Sequence, residues 1–106
     1  MSTHVLDSTS GGPAPGVTVR LESRTDGGWS PVAEGTTDAD GRIREFTPHG
    51  PAAGVHRLVF DTGSYFAGVP AFYPEVTVTF QITDAGEHHH VPLLLSPFAY
   101  STYRGS

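Results

Sequence analysis

The sequence predicts an all-β protein, an antiparallel β-sandwich of about eight short strands with one short helix. Two observations predict this fold class. Apolar, often β-branched residues alternate strictly with polar ones in several segments, which is typical of strands with one face in a core. In addition, 13 Gly and 9 Pro divide the 106 residues into short segments, which favours strands over long helices.

The predicted elements follow from this alternation. It is clearest at residues 17–22, where Val, Val and Leu alternate with Thr, Arg and Glu, and at residues 76–83. One short helical turn is predicted near residues 62–68. The remaining predicted strands are residues 3–7, 29–36, 42–46, 55–60, 88–95 and 99–103.

The segments between the predicted strands have the composition of turns. Asp26-Gly27-Gly28, Asp40-Gly41 and Asp84-Ala85-Gly86 are typical of tight hairpin connections. Pro92 lies inside a predicted strand but has no N–H for a ladder. We therefore expect that strand to lie at a sheet edge or to contain a bulge.

Length and charge limit the function classes. A chain of 106 residues fits a single domain, residues 1–106. Six Lys and Arg against eleven Asp and Glu give a net charge of −5. A phosphate backbone would be repelled, so nucleic-acid binding is not expected, and neither is binding to an anionic membrane surface.

The absence of cysteine excludes disulfides, Cys-ligated zinc and a Cys nucleophile. The longest apolar stretch, residues 91–95, is too short to span a bilayer. The first residues lack the basic and apolar regions of a signal peptide. A cytoplasmic protein is therefore the expectation.

Histidines are frequent, and four of the six stand out: His4, His88, His89 and His90. Residues i and i+2 of a strand project from one face, so we expect His88 and His90 on one face and His89 on the other. Imidazole, with a pKa of about 6.5, suits acid–base catalysis near neutrality. Three interpretations stay open: solvated edge histidines, acid–base catalysts, or zinc ligands.

Two further features admit more than one interpretation. Arg42 follows a predicted turn, where it is either a solvated hairpin residue or a planar donor for a substrate oxygen. The last residues, 100–106, include two tyrosines after an apolar strand. This segment is either a frayed tail or a segment docked on the sandwich.

The residue identities resemble those of the transthyretin-like family over essentially the whole chain, in one register. Two departures from the family pattern are visible: His89 stands where members commonly have Tyr, and Ala99 where Gly is common. The resembling segments are residues 3–7 (THVLD), 12–16 (GPAPG), 37–42 (TDADGR), 72–76 (FYPEV) and 88–106 (HHHVPLLLSPFAYSTYRGS).

The family divides into hormone-carrying transthyretins and 5-hydroxyisourate hydrolases. The closing Tyr-Arg-Gly-Ser resembles the hydrolases, as do the histidines and the arginine near the predicted strand ends. The resemblance implies a site with these residues: catalytic His4, Arg42, His90 and Ser106, with His88 and Tyr103 binding substrate. We expect the general base to be His90 or His4, and the sequence does not choose between them.

The resemblance implies an eight-stranded, two-sheet sandwich that assembles as a homotetramer, a dimer of dimers with sites in a channel between subunits. The implied reaction opens 5-hydroxyisourate to 2-oxo-4-hydroxy-4-carboxy-5-ureidoimidazoline, on the way from urate to allantoin, with no cofactor or metal. Two alternatives stay open. One is a carrier of a small aromatic ligand, and the other is a zinc hydrolase using His4, His88 and His90.

Overall fold

Nine strands and one short helix follow one another in the computed structural model, which describes all 106 residues. In chain order they are β1 (Ser2–Asp7), β2 (Gly12–Pro13), β3 (Thr18–Thr25), β4 (Gly28–Thr36), β5 (Arg42–Ile43), β6 (Gly54–Phe60), α1 (Thr62–Tyr65), β7 (Val76–Ile82), β8 (His90–Leu95) and β9 (Tyr100–Thr102). The structure contains no helix with the length and apolar character of a membrane span.

The strands form two sheets. The first has the order β2-β1-β8-β9, with β5 also paired to β1, and the second has the order β4-β3-β6-β7. Every pairing is antiparallel except that of β1 with β8, which is parallel over six residue pairs. The predicted two-sheet β-sandwich is confirmed, and this one parallel pair is the exception to its antiparallel pairing.

The core lies between the sheets and takes alternate side chains from the strands. Val5, Val19, Leu21, Leu58 and Leu93 are completely buried there. Burying a side chain of this size stabilises the fold by about 1.5–3 kcal/mol. Because alternate residues face inward, the intervening residues of β1 and β8 face outward from the first sheet.

All eight predicted strands are present, with some different bounds. The ninth strand, β2, is a two-residue pairing within a segment that we predicted to be a turn. The strand predicted at residues 42–46 is paired only over Arg42–Ile43, and the one predicted at 88–95 begins at His90. The short helix is confirmed, and the Asp61 carboxylate caps it by accepting the backbone N–H of Ser64 at 3.2 Å.

Only one of the three predicted hairpin turns joins adjacent strands. Residues 26–27 connect β3 to β4 in the second sheet. Residues 40–41 and 84–86 instead lead from the second sheet to the first, so the hairpin prediction was wrong for both. Local turn composition specifies a reversal of the chain but not the sheet in which the next strand pairs.

The expectation that Pro92 marks an edge strand or a bulge was also wrong, since β8 lies between β1 and β9 and its register with both strands is unshifted. The β9 ladder begins beside Pro92, at the pair of Leu93 with Thr102. The Pro92 carbonyl accepts the side-chain hydroxyl of Thr102 at 2.7 Å. A side-chain hydroxyl thus satisfies the Pro92 carbonyl, while the missing N–H leaves Pro92 with no backbone donor for a ladder.

Candidate active site

The outer face of the first sheet carries a row of polar side chains. Val5 faces the core, so its neighbours on β1 face outward. The register places Ser2 opposite His90 and His4 opposite Arg42. Because directly paired residues share a face of a sheet, strand pairing brings these four side chains together from three separate segments.

A tight loop presents Arg42. The Asp38 carboxylate accepts the backbone N–H groups of Asp40 at 2.9 Å and of Arg42 at 3.0 Å. The hydrogen bond from Arg42 is the main reason that the pKa of Asp38 is lowered. Gly41 has φ of 75°, and a Cβ there would lie 2.4 Å from the Val5 carbonyl oxygen, so only glycine fits.

The three consecutive histidines divide between two faces, as the alternation predicted. The Ser2 hydroxyl lies 2.7 Å from Nδ1 of His90 and 2.9 Å from Nε2 of His88, so both rings reach the outer face. His89 is buried, and its Nδ1 lies 3.0 Å from the Glu87 carbonyl. His88 is exposed and His90 is half-buried.

The surroundings of His90 favour its neutral form. Burial lowers its pKa most, followed by the positive charge of Arg42 and by smaller contributions from His4 and His88. A hydrogen bond with the Ser2 backbone acts in the opposite direction but does not cancel these contributions. His90 therefore remains an available base at a lower pH than an ordinary histidine.

His4 lies on the same face but in a neighbouring depression. Its Nε2 lies 3.0 Å from the Asp40 carbonyl oxygen. Since a carbonyl only accepts, this nitrogen carries the ring proton of the neutral side chain. Arg42 contributes to the walls of both the depression and the main cleft, and so connects His4 to the other predicted site residues.

The C-terminal segment is not frayed: it packs beside His90, the first residue of β8. Gly105 donates its backbone N–H to the His90 carbonyl at 2.8 Å. A Cβ on Gly105 would lie 2.5 Å from Cδ2 of His90 and 3.3 Å from Cγ of Pro92. This close approach of the backbone to the imidazole ring brings Ser106 to the edge of the cleft.

These features form an open cleft of about 210 Å³ with mostly polar walls, in which Ile43 is the one hydrophobic residue. Four of the six predicted site residues line it. His4 lines the neighbouring depression, and Tyr103 borders a different groove. The lining residues are Ser2, Thr3, Arg42, Ile43, Arg44, His88, His90 and Ser106.

Tyr103 does not line this cleft. It is 58% exposed and borders a separate, more apolar groove beside Val78 and Phe80 of β7. The alternation of side chains along a strand does not predict its orientation, because β9 ends at Thr102, before Tyr103. Its assignment to substrate binding stays a prediction.

No group of three or more His, Asp or Glu side chains is arranged to hold a metal ion. His4, whose Nε2 is engaged by a backbone carbonyl, lines a depression separate from His88 and His90. The zinc alternative needs these three histidines as ligands of one ion, so the geometry disfavours it.

Four cleft residues were missed from the sequence: Ser2, Thr3, Ile43 and Arg44. Ser2 had a usable signal, because it directly precedes the predicted strand 3–7 and stands two residues before His4, at the spacing that shares a face. No sequence signal identified Arg44, because its position depends on the loop that follows β5. It pairs with Asp40 at 3.4 Å at the exposed rim.

The fold and the cleft define a transthyretin-type β-sandwich with a polar site on the outer face of one sheet. The chain belongs to the HIUase/Transthyretin family, whose sequence profile matches residues 1–105. The resemblance that the sequence motifs indicated is thereby confirmed.

The chain is similar both to 5-hydroxyisourate hydrolases and to a transthyretin. A 5-hydroxyisourate hydrolase of Salmonella dublin is 50% identical over 109 residues, covering all of this chain and 80% of that protein. The structure of Klebsiella pneumoniae 5-hydroxyisourate hydrolase superposes with a TM-score of 0.88 at 39% identity, covering 99% and 97% of the two chains. Sea bream transthyretin in complex with thyroxine superposes with a TM-score of 0.91 at 38% identity, covering 98% and 92%. The fold alone therefore does not separate hydrolase from carrier.

Proposed function

We propose that this chain is a 5-hydroxyisourate hydrolase, which opens the ring of 5-hydroxyisourate to 2-oxo-4-hydroxy-4-carboxy-5-ureidoimidazoline in urate degradation. The observation that carries the proposal is the polar cleft in which Arg42, His88, His90 and Ser106 meet. The hydrolases of Salmonella dublin and Klebsiella pneumoniae support the same activity.

We assign the general base to His90. Nδ1 of its ring lies 2.7 Å from the Ser2 hydroxyl, while Nε2 is free to take a proton from water. The lowered pKa keeps this nitrogen unprotonated at neutral pH. His4 fits the role less well because its Nε2 is engaged by the Asp40 carbonyl.

The other residues handle charge and orientation. Attack of water on a ring carbonyl places negative charge on the carbonyl oxygen, and the Arg42 guanidinium offers several donors to that oxygen. The proton held by His90 can then pass to the ring nitrogen that leaves. Ser106 and His88 border the same cleft and supply further polar contacts to the substrate, while His4 acts from beside Arg42.

The polarity of the cleft favours the hydrolase over the carrier. A site for an apolar aromatic ligand is lined mainly by hydrophobic side chains with few polar groups. Here seven of the eight lining residues are not hydrophobic. A small heterocycle with several carbonyl and N–H groups matches such walls.

We also propose that residues 1–106 form one transthyretin-like domain that assembles as a homotetramer, a dimer of dimers. Several large apolar side chains remain exposed, including Phe72 at 69% and Phe98 at 65%. The edge strands β7 and β9 each have one unpaired side. A short chain gains buried apolar area by covering such surfaces. A cytoplasmic location stays a prediction of the sequence.

The activity is tested with freshly prepared 5-hydroxyisourate, whose ultraviolet decay is compared with the spontaneous rate. We expect rapid decay with the wild-type protein and a loss of about 10²–10⁴-fold in rate for His90→Asn. His4→Asn should also lower the rate, while His89→Asn, on the opposite face, should affect it far less. Decay at the spontaneous rate with folded wild-type protein would refute the proposed activity. Near wild-type turnover by His90→Asn would remove His90 from the mechanism.

A further inference from the structure

The hydroxyl of Ser2 bridges two histidines of the cleft. Its Oγ lies 2.7 Å from Nδ1 of His90 and 2.9 Å from Nε2 of His88. Ser2 is only 8% exposed, and its backbone N–H donates to the His89 carbonyl at 3.0 Å. The oxygen therefore has a fixed position between the two rings.

One hydroxyl cannot donate to both histidines. It carries a single proton and two acceptor lone pairs, and a neutral imidazole carries one proton on one of its two nitrogens. If both contacts are hydrogen bonds and the hydroxyl donates to one ring, it must accept from the other. The protonation of the His88 ring and that of the His90 ring are then coupled through Ser2.

The proposed role of His90 as base selects one of the two directions. Nε2 of His90 has no hydrogen-bond partner within the chain, so it is the nitrogen that can accept a proton from water. A neutral imidazole carries one proton, so Nδ1 of His90 then carries it and donates it to the Ser2 hydroxyl oxygen.

We propose that Ser2 is a positioning residue: its hydroxyl accepts from Nδ1–H of His90, donates to Nε2 of His88, and keeps the lone pair of His90 on Nε2. The inference rests on the proposed function, because it explains how the base is held ready. Ser2 does not touch the reacting atoms and acts through His90. This role resembles that of any group that fixes the tautomer of a catalytic imidazole by binding its second nitrogen.

The test is long-range ¹H–¹⁵N correlation NMR of the histidine side chains, recorded without substrate above the pH at which they titrate. In the wild-type protein we expect His90 to carry its proton on Nδ1. In Ser2→Ala we expect a shift of the His90 population toward the Nε2–H form. Ser2→Thr keeps the hydroxyl and should preserve the wild-type pattern.

A matched control lies in the other sheet, where Ser23 Oγ is 2.7 Å from Nδ1 of His56. Ser23→Ala removes the same kind of contact, so it should change the His56 signals and leave those of His90 unchanged. It should also leave turnover unchanged. This variant separates the local effect of Ser2 from the general effect of deleting a serine beside a histidine.

Kinetics give a second readout. Ser2→Ala should lower kcat by about threefold to tenfold with little change in KM, as for loss of one hydrogen bond in the transition state. Losing an acceptor that stabilises the imidazolium should also move the acid limb of kcat/KM to lower pH. A merely structural serine would not move that limb.

Two results would overturn the inference: a wild-type His90 with its proton on Nε2, or a Ser2→Ala protein with the wild-type tautomer and pH profile. The NMR experiment needs no turnover, so it decides the role of Ser2 even if the proposed activity fails. If the wild type turns over substrate but Ser2→Ala keeps the wild-type tautomer, the role of Ser2 is rejected and the proposed activity stands.

Discussion

Arg42 has two effects at the scale of single residues. In the proposed mechanism its guanidinium supplies donors for the charge that develops on a substrate oxygen. After burial, its positive charge is the strongest influence that lowers the pKa of His90. We therefore propose that the same side chain stabilises the transition state and keeps the neighbouring base neutral.

The pH profile of Arg42→Gln separates these two effects. Removing the positive charge favours the imidazolium, so the pKa of His90 should rise and the acid limb of kcat/KM should move to higher pH. The plateau should fall by about 10²–10³-fold because donors to the oxyanion are lost. Arg20→Gln is the control, since Arg20 lies on β3 of the other sheet, paired with Glu22. An acid limb at the wild-type pH in Arg42→Gln would contradict the electrostatic coupling.

At the scale of elements, the site depends on the segment that follows β9. This segment is attached to β8 by the hydrogen bond from Gly105 to His90. Its start is held by Thr102, the last residue of β9, whose hydroxyl donates to the Pro92 carbonyl. An exposed pair of Arg104 with Glu87 at 3.6 Å adds little, as is usual for surface ion pairs. The close backbone approach at Gly105 is what brings the last residue to the cleft.

Gly105→Ala should abolish most turnover while the sandwich stays folded. The added Cβ would lie 2.5 Å from the His90 ring, so either the ring or the segment must move. Deleting residues 103–106 should have the same result. Gly27→Ala is the matched control, because no atom lies within 4 Å of its new Cβ. Turnover measured beside circular dichroism checks the prediction, and full activity in the folded deletion would disprove this role of the segment.

At the scale of the whole molecule, exposed aromatic side chains and two open sheet edges indicate self-association. Phe72 packs edge-to-face on Tyr73, and Tyr73 on Tyr100, at ring separations of 5.0 Å, so these three aromatics form one contiguous cluster. Contiguous apolar surface of this kind is usually covered by another protein surface. The proposed tetramer would cover it with copies of the same chain.

Light scattering should therefore give a mass of about four times the 11.2 kDa of one chain. Phe72→Ser should weaken the assembly because it places a polar group where an aromatic ring would be buried. Val32→Ser, at another exposed apolar position on β4, serves as the control. A monomer with full turnover would contradict the proposal that the active sites lie between subunits.

Much of the site was predictable from the sequence because strand periodicity is local. Alternation alone places His88 and His90 on one face and His89 on the other, as the structure shows. It also identifies the inward residues of β3, such as Val19 and Leu21. Motif resemblance added Arg42 and Ser106, which no local pattern selects.

What the sequence by itself determined is therefore eight of the nine strands, the faces on which the alternating side chains of those strands lie, and the family. Only the tertiary structure decided that β1 pairs with β8 in parallel and that residues 40–41 and 84–86 cross between sheets. It also decided that Ser2 lies between His88 and His90 and that Tyr103 borders a second groove, outside the polar cleft, with His90 lining both. The physical reason is that side chains alternate between the two faces of a strand whether it pairs in parallel or antiparallel, and whichever strand it pairs with. The choice of partner depends on burial summed over both sheets.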